Sequence, residues 1–304
     1  MKHKTLSKAL ALVLILSILL SMTGCEALDY RKAVEQYNIG NFDAAAQSFS
    51  ALGDYEDSRE LAVLSQYWAA LTRMEKEKFN EALPLFLELG NYEDSAQRAV
   101  ECRYQMAVGL FEAGSLSDGE AIFLELGEYK STAEYLRRIQ WQNFYDALPK
   151  DGLCTETSEG MELRIVPQKG KPNQLTFSVS RTKDMGYVFY DELTLTLTRD
   201  SLDAEFIATS TFTMDFHGEE IGSQQTASGT VDISVCTPET PLPVTSYELT
   251  GTDNQGNAIT GSDQVLMVDT MAENLNAILT ILPSLLESNG IPQTLQDIGF
   301  APLA

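Results

Sequence analysis

Leu52-Gly53-Asp54-Tyr55-Glu56-Asp57-Ser58 returns as Leu89-Gly90-Asn91-Tyr92-Glu93-Asp94-Ser95 and again as Leu126-Gly127-Glu128-Tyr129-Lys130-Ser131-Thr132, each copy 37 residues after the one before. The register reaches well beyond this signature. Tyr30, Tyr67, Tyr104 and Trp141 fall in line, as do Ala33, Ala70 and Ala107, and Phe49, Phe86 and Phe123. Self-similarity at a fixed period marks stacked supersecondary units, because one unit cannot bury its apolar face alone.

Within each unit apolar residues recur at spacings of three and four, and the breaks hold Gly, Asn and Ser, so each unit reads as a helical hairpin. The pattern predicts helices over 27–39, 42–52, 58–76, 79–89, 95–113, 117–126 and 131–148. Asp57 with Glu60, Asp94 with Gln97 and Ser131 with Glu134 have the spacing of capping boxes. Gly53, Gly90 and Gly127 stand where a helix could end in a left-handed turn.

The shorter helix reads Gly40-x-Phe42-x-x-Ala45-x-x-x-Phe49 with Ala33 upstream, and its echo is Phe79-x-x-Ala82-x-x-x-Phe86. This pattern, over residues 27–148, resembles the tetratricopeptide repeat. The 37-residue period exceeds the ~34 residues usual in that family, and Leu116 and Gly119 replace its aromatic and Ala in the third unit. In that family the first helix of each hairpin lines a concave groove. The resemblance therefore implies that Tyr30, Val34, Tyr37, Tyr67, Leu71, Met74, Tyr104, Val108 and Phe111 face one side, as a peptide-binding stripe or as inter-repeat core. The last helix, with Trp141, Phe144 and Leu148 enlarged, is expected to close the array.

After residue 150 the periodicity changes. Leu175-Thr-Phe177-Ser-Val179, Leu193-Thr-Leu195-Thr-Leu197 and Val231-Asp-Ile233-Ser-Val235 alternate strictly, with turn-forming residues between the runs, as at His217-Gly218-Glu219-Glu220 and Asp253-Asn254-Gln255-Gly256-Asn257. That is the pattern of an antiparallel meander with one buried face. From about Ser262 a helical pattern returns, with Met271, Leu275, Ile278, Leu279, Leu282 and Leu286 on one side and Pro283 interrupting it. The fold class expected is α+β: a helical-hairpin array over 25–149, then a β-meander domain over 150–304 covered by a C-terminal helix.

The first 24 residues carry Lys2, Lys4 and Lys8, then an apolar run from Ala9 to Leu20, the layout of a secretory signal. The run falls short of the ~20 apolar residues that span a bilayer. Met22-Thr23-Gly24-Cys25 resembles the lipobox of bacterial lipoproteins, which implies that Cys25 takes a diacylglycerol anchor and that the chain sits on the extracytoplasmic face of a bacterial cell membrane. Processing removes three lysines and leaves 18 basic against 44 acidic residues. So acidic a chain is a poor partner for nucleic acid or anionic lipid.

Catalytic residue types are scarce. His217 is the single histidine after residue 24, so a His-pair metal site and the Ser-His-Asp set have almost nothing to work with. Asp253–Asn257 places Gly251 and Gln255 at calcium-ligand positions and reads better as a hairpin turn. Cys102, Cys154 and Cys236 lack Cys-x-x-Cys spacing, and Cys154 with Cys236 is the one intradomain pair available, against two buried thiols. The sequence points to a non-catalytic interaction scaffold without metal or cofactor, with a protein or peptide partner. A carrier or assembly chaperone for an apolar ligand stands second, and an envelope hydrolase third.

Overall fold

The computed structural model describes residues 25–157, 160–184, 188–201, 203–217, 219–236, 244–253, 257–258 and 263–300. The expected signal segment 1–24, the loop residue Gly218 and residues 254–256 of the expected turn lie outside them. The chain divides between Thr132 and Ala133 into two compact units.

The first unit is a run of helical hairpins: α1 over 25–38, α2 Phe42–Leu52, α3 Ser58–Glu75, α4 Phe79–Leu89, α5 Ser95–Glu112 and α6 Leu116–Leu126. Small residues let the paired helices approach. Ala33 with Ala45, Ala70 with Ala82, and Ala107 with Gly119 are buried at equivalent positions. A Cβ on Gly119 would come within 3.2 Å of the Ala107 carbonyl oxygen, so the third hairpin is packed more tightly than Ala would allow without adjustment. Phe49, Phe86 and Phe123 fill the space beside each pair.

The signature heptapeptide forms the turn between hairpins. Gly53, Gly90 and Gly127 have φ of 56°, 58° and 59° with ψ of −113°, −112° and −122°. This is the mirror image of the extended region rather than the left-handed helical turn expected, and it is open only to glycine. The expected capping boxes are absent at α3 and α5. Neither Asp57 nor Asp94 caps its helix through the side chain. The residue before each, Glu56 or Glu93, is left-handed, with φ of 49° or 48°, and the Asp backbone then sits near φ −96° or −99° with ψ near 20°, which is not the extended geometry that aims a cap side chain at the third amide.

The second unit contains α7 Thr132–Ala147, all but its first residue, then seven strands and the helix α8 Asp263–Ser288. The strands are β1 Leu153–Glu156, β2 Met161–Pro167, β3 Gln174–Asp184, β4 Val188–Thr198, β5 Asp203–Phe216, β6 Glu219–Asp232 and β7 Val244–Asp253. They form one antiparallel sheet in sequence order, the expected meander with its expected C-terminal helix. Side-chain alternation decides its buried face: Leu163, Val179, Leu193, Ala208 and Ala227 form one transverse row, and Ile165, Phe177, Leu195 and Phe206 the next. Ile278, Leu279 and Leu282 of α8 close on it, fully buried.

Two expectations are corrected here. Trp141, Phe144 and Leu148 of α7 are buried in the core of the sheet unit, so the unit boundary lies at 132/133 and not near 150. The physical reason is that an apolar helix face carries no label for its partner, and this one is covered by strand residues. Pro283 does not interrupt α8, which continues to Ser288. The packing of Leu275, Leu279, Leu282 and Leu286 outweighs the backbone bond lost at the proline. The side chain of Met271 lies outside the described residues.

Candidate functional site

The aligned tyrosines stitch one hairpin to the next. Tyr30 donates its hydroxyl to Asp57 Oδ1 at 2.5 Å, and Tyr67, one repeat later, donates to Asp94 Oδ1 at 2.6 Å. Each ring packs edge-on against the Phe of its own hairpin and close to the signature Tyr. The centroid distances are 5.8 Å from Tyr30 to Phe49 and 5.8 Å to Tyr55, 6.3 Å from Tyr67 to Phe86 and 5.7 Å to Tyr92, and 6.1 Å from Tyr104 to Phe123 and 5.7 Å to Tyr129. The Asp57 hydrogen bond, with burial and the Asp57 charge behind it, pushes the Tyr30 hydroxyl up to about 12. Arg98, and then Tyr67, hold the Asp94 carboxyl below the usual range. Tyr129 donates to Glu101, which also pairs with Lys130, and that bond pushes the Tyr129 hydroxyl up to about 12.

These bonds explain the conserved spacing inside the chain. The signature Asp accepts a hydroxyl from the preceding hairpin, and the Tyr ring seals the Phe beneath it. Such side chains are joints between repeats, and a hydroxyl already donated is a poor handle for a partner.

Among the hollows on this scaffold, one is built around partly exposed aromatic and apolar side chains of the first helix of a hairpin. A space of about 530 Å³ is lined by Tyr67, Trp68, Leu71, Met74 and Glu75 of α3 and by Arg98 of α5. Trp68 is 40% exposed. Its indole stacks on Phe42, centroids 6.1 Å apart and planes 25° from parallel, and Phe42 in turn meets Tyr37 edge-on at 5.5 Å. Arg98 is held by Asp94 at 2.7 Å and reaches Met74 Sδ at 3.9 Å, which fixes it as a wall of the hollow. The site thus offers an aromatic platform, an aliphatic and thioether floor, and a carboxylate at its edge.

Of the residues predicted from the sequence, Tyr67, Leu71 and Met74 line the hollow, and Tyr37 reaches it through the aromatic ladder. Tyr30 is spent on the joint with Asp57. Tyr104 is buried against Phe123 and Tyr129, with Lys130 over its ring, so its part in a binding stripe is corrected to core. Val108 and Phe111 are half-buried on α5 and do not line the hollow. Trp68 and Arg98 were missed. Their signal was difference and not sameness: the positions equivalent to Trp68 hold Arg31 and Gln105, and the one before Arg98 holds Leu61.

A second surface competes. The second helices of two hairpins carry Leu87 and Leu124, equivalent positions that are 52% and 64% exposed. The hollow beside Leu87 is about 210 Å³, less than half the size of the one at Trp68.

In the second unit the chemistry is buried. Arg181 and Asp191 face each other across β3 and β4, on the core side, with Nη2 and Oδ2 3.0 Å apart. Arg181 also contacts Glu273 of α8 at 3.1 Å. Asp191 is fully buried, and burial pushes its carboxyl above the usual range against the pull of Arg181. A hollow of about 600 Å³ lies at the end of α8, walled by Pro283, Leu286, Ile291, Pro292 and Leu295.

Cys154 and Cys236 are both free thiols. Cys236 is buried, which pushes it up to about 12, and Cys154 is exposed with Sγ 3.3 Å from Glu162. His217 sits exposed at the β5–β6 turn. Among the described residues no group of three His, Cys, Asp or Glu side chains could hold a metal ion, and no helix is long and apolar enough to cross a membrane. Cys25 is exposed on α1. No protein family, curated protein or solved structure matched this chain.

Proposed function

We propose that this chain is a bacterial lipoprotein, anchored through diacylglycerol at Cys25 on the extracytoplasmic face of the cell membrane, whose helical repeats hold a protein or peptide partner. The observation that carries the binding role is Trp68. A large aromatic side chain stands partly exposed over a hollow with an apolar floor, at a position where the first and third repeats hold Arg31 and Gln105. Exposed aromatics over a pocket are the usual anchors of protein–protein recognition. The tetratricopeptide resemblance supports the same reading, since it assigns the first helix of each hairpin to the binding side.

The anchor rests on the three-part N-terminus and on Met22-Thr23-Gly24-Cys25. Because residue 25 is already helical, the lipid would join the helix with no flexible tether, and the array would lie close to the headgroups. The role proposed is non-catalytic, with no cofactor.

Two measurements test the reading. Mass analysis of the membrane-extracted protein should show a diacylglycerol adduct on an N-terminal Cys25 peptide, and Cys25→Ser should move the protein out of the membrane fraction. An unmodified Cys25 contradicts the anchor. A crosslinking pull-down from native membranes should recover a partner with wild type and Leu87→Ser but lose it with Trp68→Gln, the residue that the third repeat itself carries at this position. Retention by Trp68→Gln contradicts the binding role.

A further inference from the structure

The chemistry of the hollow says more about what would fill it, on the assumption that the binding role just proposed is right. Glu75 is exposed on the hollow's edge and makes no ion pair among the described residues. It is also the last residue of α3, and Glu112, the equivalent residue one repeat on, is the last of α5. A helix C-terminus is the negative end of the macrodipole, where carboxylates are disfavoured and Lys or Arg is the stabilising choice. The first repeat has uncharged Asn38 at this position, so the fold does not require the charge.

Three of the nearby cations are already committed. Arg73 pairs with Asp43 and Glu81, Lys78 pairs with Glu81, and Arg98 pairs with Asp94. Lys76 is flanked by Glu75 and Glu77. Over residues 25–132 the array carries 20 acidic against 9 basic side chains. Two carboxylates stand at electrostatic cost to their own helices within a strongly negative unit, and the one at Glu75, on the edge of the apolar hollow, is complementary to a cation beside an apolar anchor.

We propose that the Trp68 hollow receives an apolar side chain of a partner segment that carries lysine or arginine next to that anchor, the cation lying against Glu75 and the general attraction coming from the acidic array. The anchor supplies affinity by burying against Trp68, Leu71 and Met74. The cation supplies selection, since an acidic neighbour would meet Glu75 and the negative helix end.

The test uses the lipidated full chain in nanodiscs of zwitterionic lipid and titration calorimetry with three blocked hexapeptides. One has a Phe-Leu anchor followed by two lysines, one has the same anchor followed by two glutamates, and one has serines for the anchor followed by two lysines. The anchored lysine peptide should bind about tenfold more tightly than either of the others, and its affinity should fall several-fold between about 50 and 500 mM salt. The double variant Glu75→Asn, Glu112→Asn, which borrows the residue of the first repeat, should erase the preference for lysine over glutamate.

Equal binding of the two anchored peptides, with both lost in Trp68→Gln, overturns the cation preference and leaves the hollow as a binding site. Binding of the anchorless lysine peptide as tightly as the anchored one overturns the anchor. Binding of the anchored lysine peptide unchanged in Trp68→Gln overturns the hollow itself, and with it the proposed binding role.

Discussion

In the repeat array Ala33, Ala45 and Phe49 close one small core, and Ala70, Ala82 and Phe86 close the next. In the second unit residues from Trp141 on α7, through the strands, to Phe300 share a single core. The array joins its parcels with hydroxyl–carboxylate bonds at half-exposed positions, whereas the sheet unit holds a guanidinium–carboxylate pair, Arg181 with Asp191, that is completely buried on the carboxylate side. The first design spreads stability over near-identical joints and can change one repeat without disturbing the others. The second ties every element to one interior. A variable binding site belongs on the first kind of scaffold, which is where Trp68 is found.

Matched core truncations should separate the two designs most strongly. Phe177→Ala in the sheet and Phe86→Ala in the array each remove a fully buried ring at a cost of about 3–5 kcal/mol. Hydrogen exchange should show loosening across all seven strands and α8 for the first, and only across α3, α4 and α5 for the second. Equal spread in both would break the comparison.

Next in size is the buried pair. Arg181→Met leaves Asp191 buried without its guanidinium and should cost about 3 kcal/mol, most of it recovered when Asp191→Leu is added. By contrast Tyr67→Phe, which removes the joint to Asp94 at the array surface, should cost about 1 kcal/mol in denaturant unfolding. A joint as costly as the buried pair would contradict the distinction drawn between them.

The two units should also respond oppositely to acid. Asp94 titrates below its ordinary range in the folded array, so its stabilisation is present above the unfolded carboxylate range and is lost as pH falls through the lowered value. Asp191 titrates above its ordinary range, so the folded sheet unit binds the extra proton and loses stability as pH rises from about 4 through the raised value. Unfolding followed by Trp68 for the array should show stability rising with pH below about 4, and unfolding followed by Trp141 for the sheet unit should show stability falling with pH above about 4, a fall that Asp191→Asn should flatten. The smallest effect is Glu93→Gly, which relieves a left-handed glutamate and should stabilise the array by about 0.5 kcal/mol in the same unfolding measurement.

The fold was legible because a 37-residue period and strict alternation are strong, redundant signals, and helix ends fell within two residues of expectation. The side of the boundary on which α7 belongs was not legible, since Trp141 sits in the tyrosine register of the array and yet is 1% exposed within the sheet core. The buried pair could have been read: Arg181 continues the parity of Phe177 and Val179, and Asp191 that of Leu193 and Leu195, so both had to face inward. The site was only half legible. Alignment by sameness found Tyr30, Tyr67 and Tyr104, which hold the array together, and passed over Trp68, which differs from its equivalents.

The most direct test of a binding site at Trp68 is in-cell photocrosslinking, with a photoreactive phenylalanine analogue in place of Trp68 in one strain and of Leu87 in another. A discrete crosslinked partner at position 68 and none at 87 is the result predicted. A partner captured at 87 alone, or at neither position while the protein remains folded and at the membrane, would contradict it.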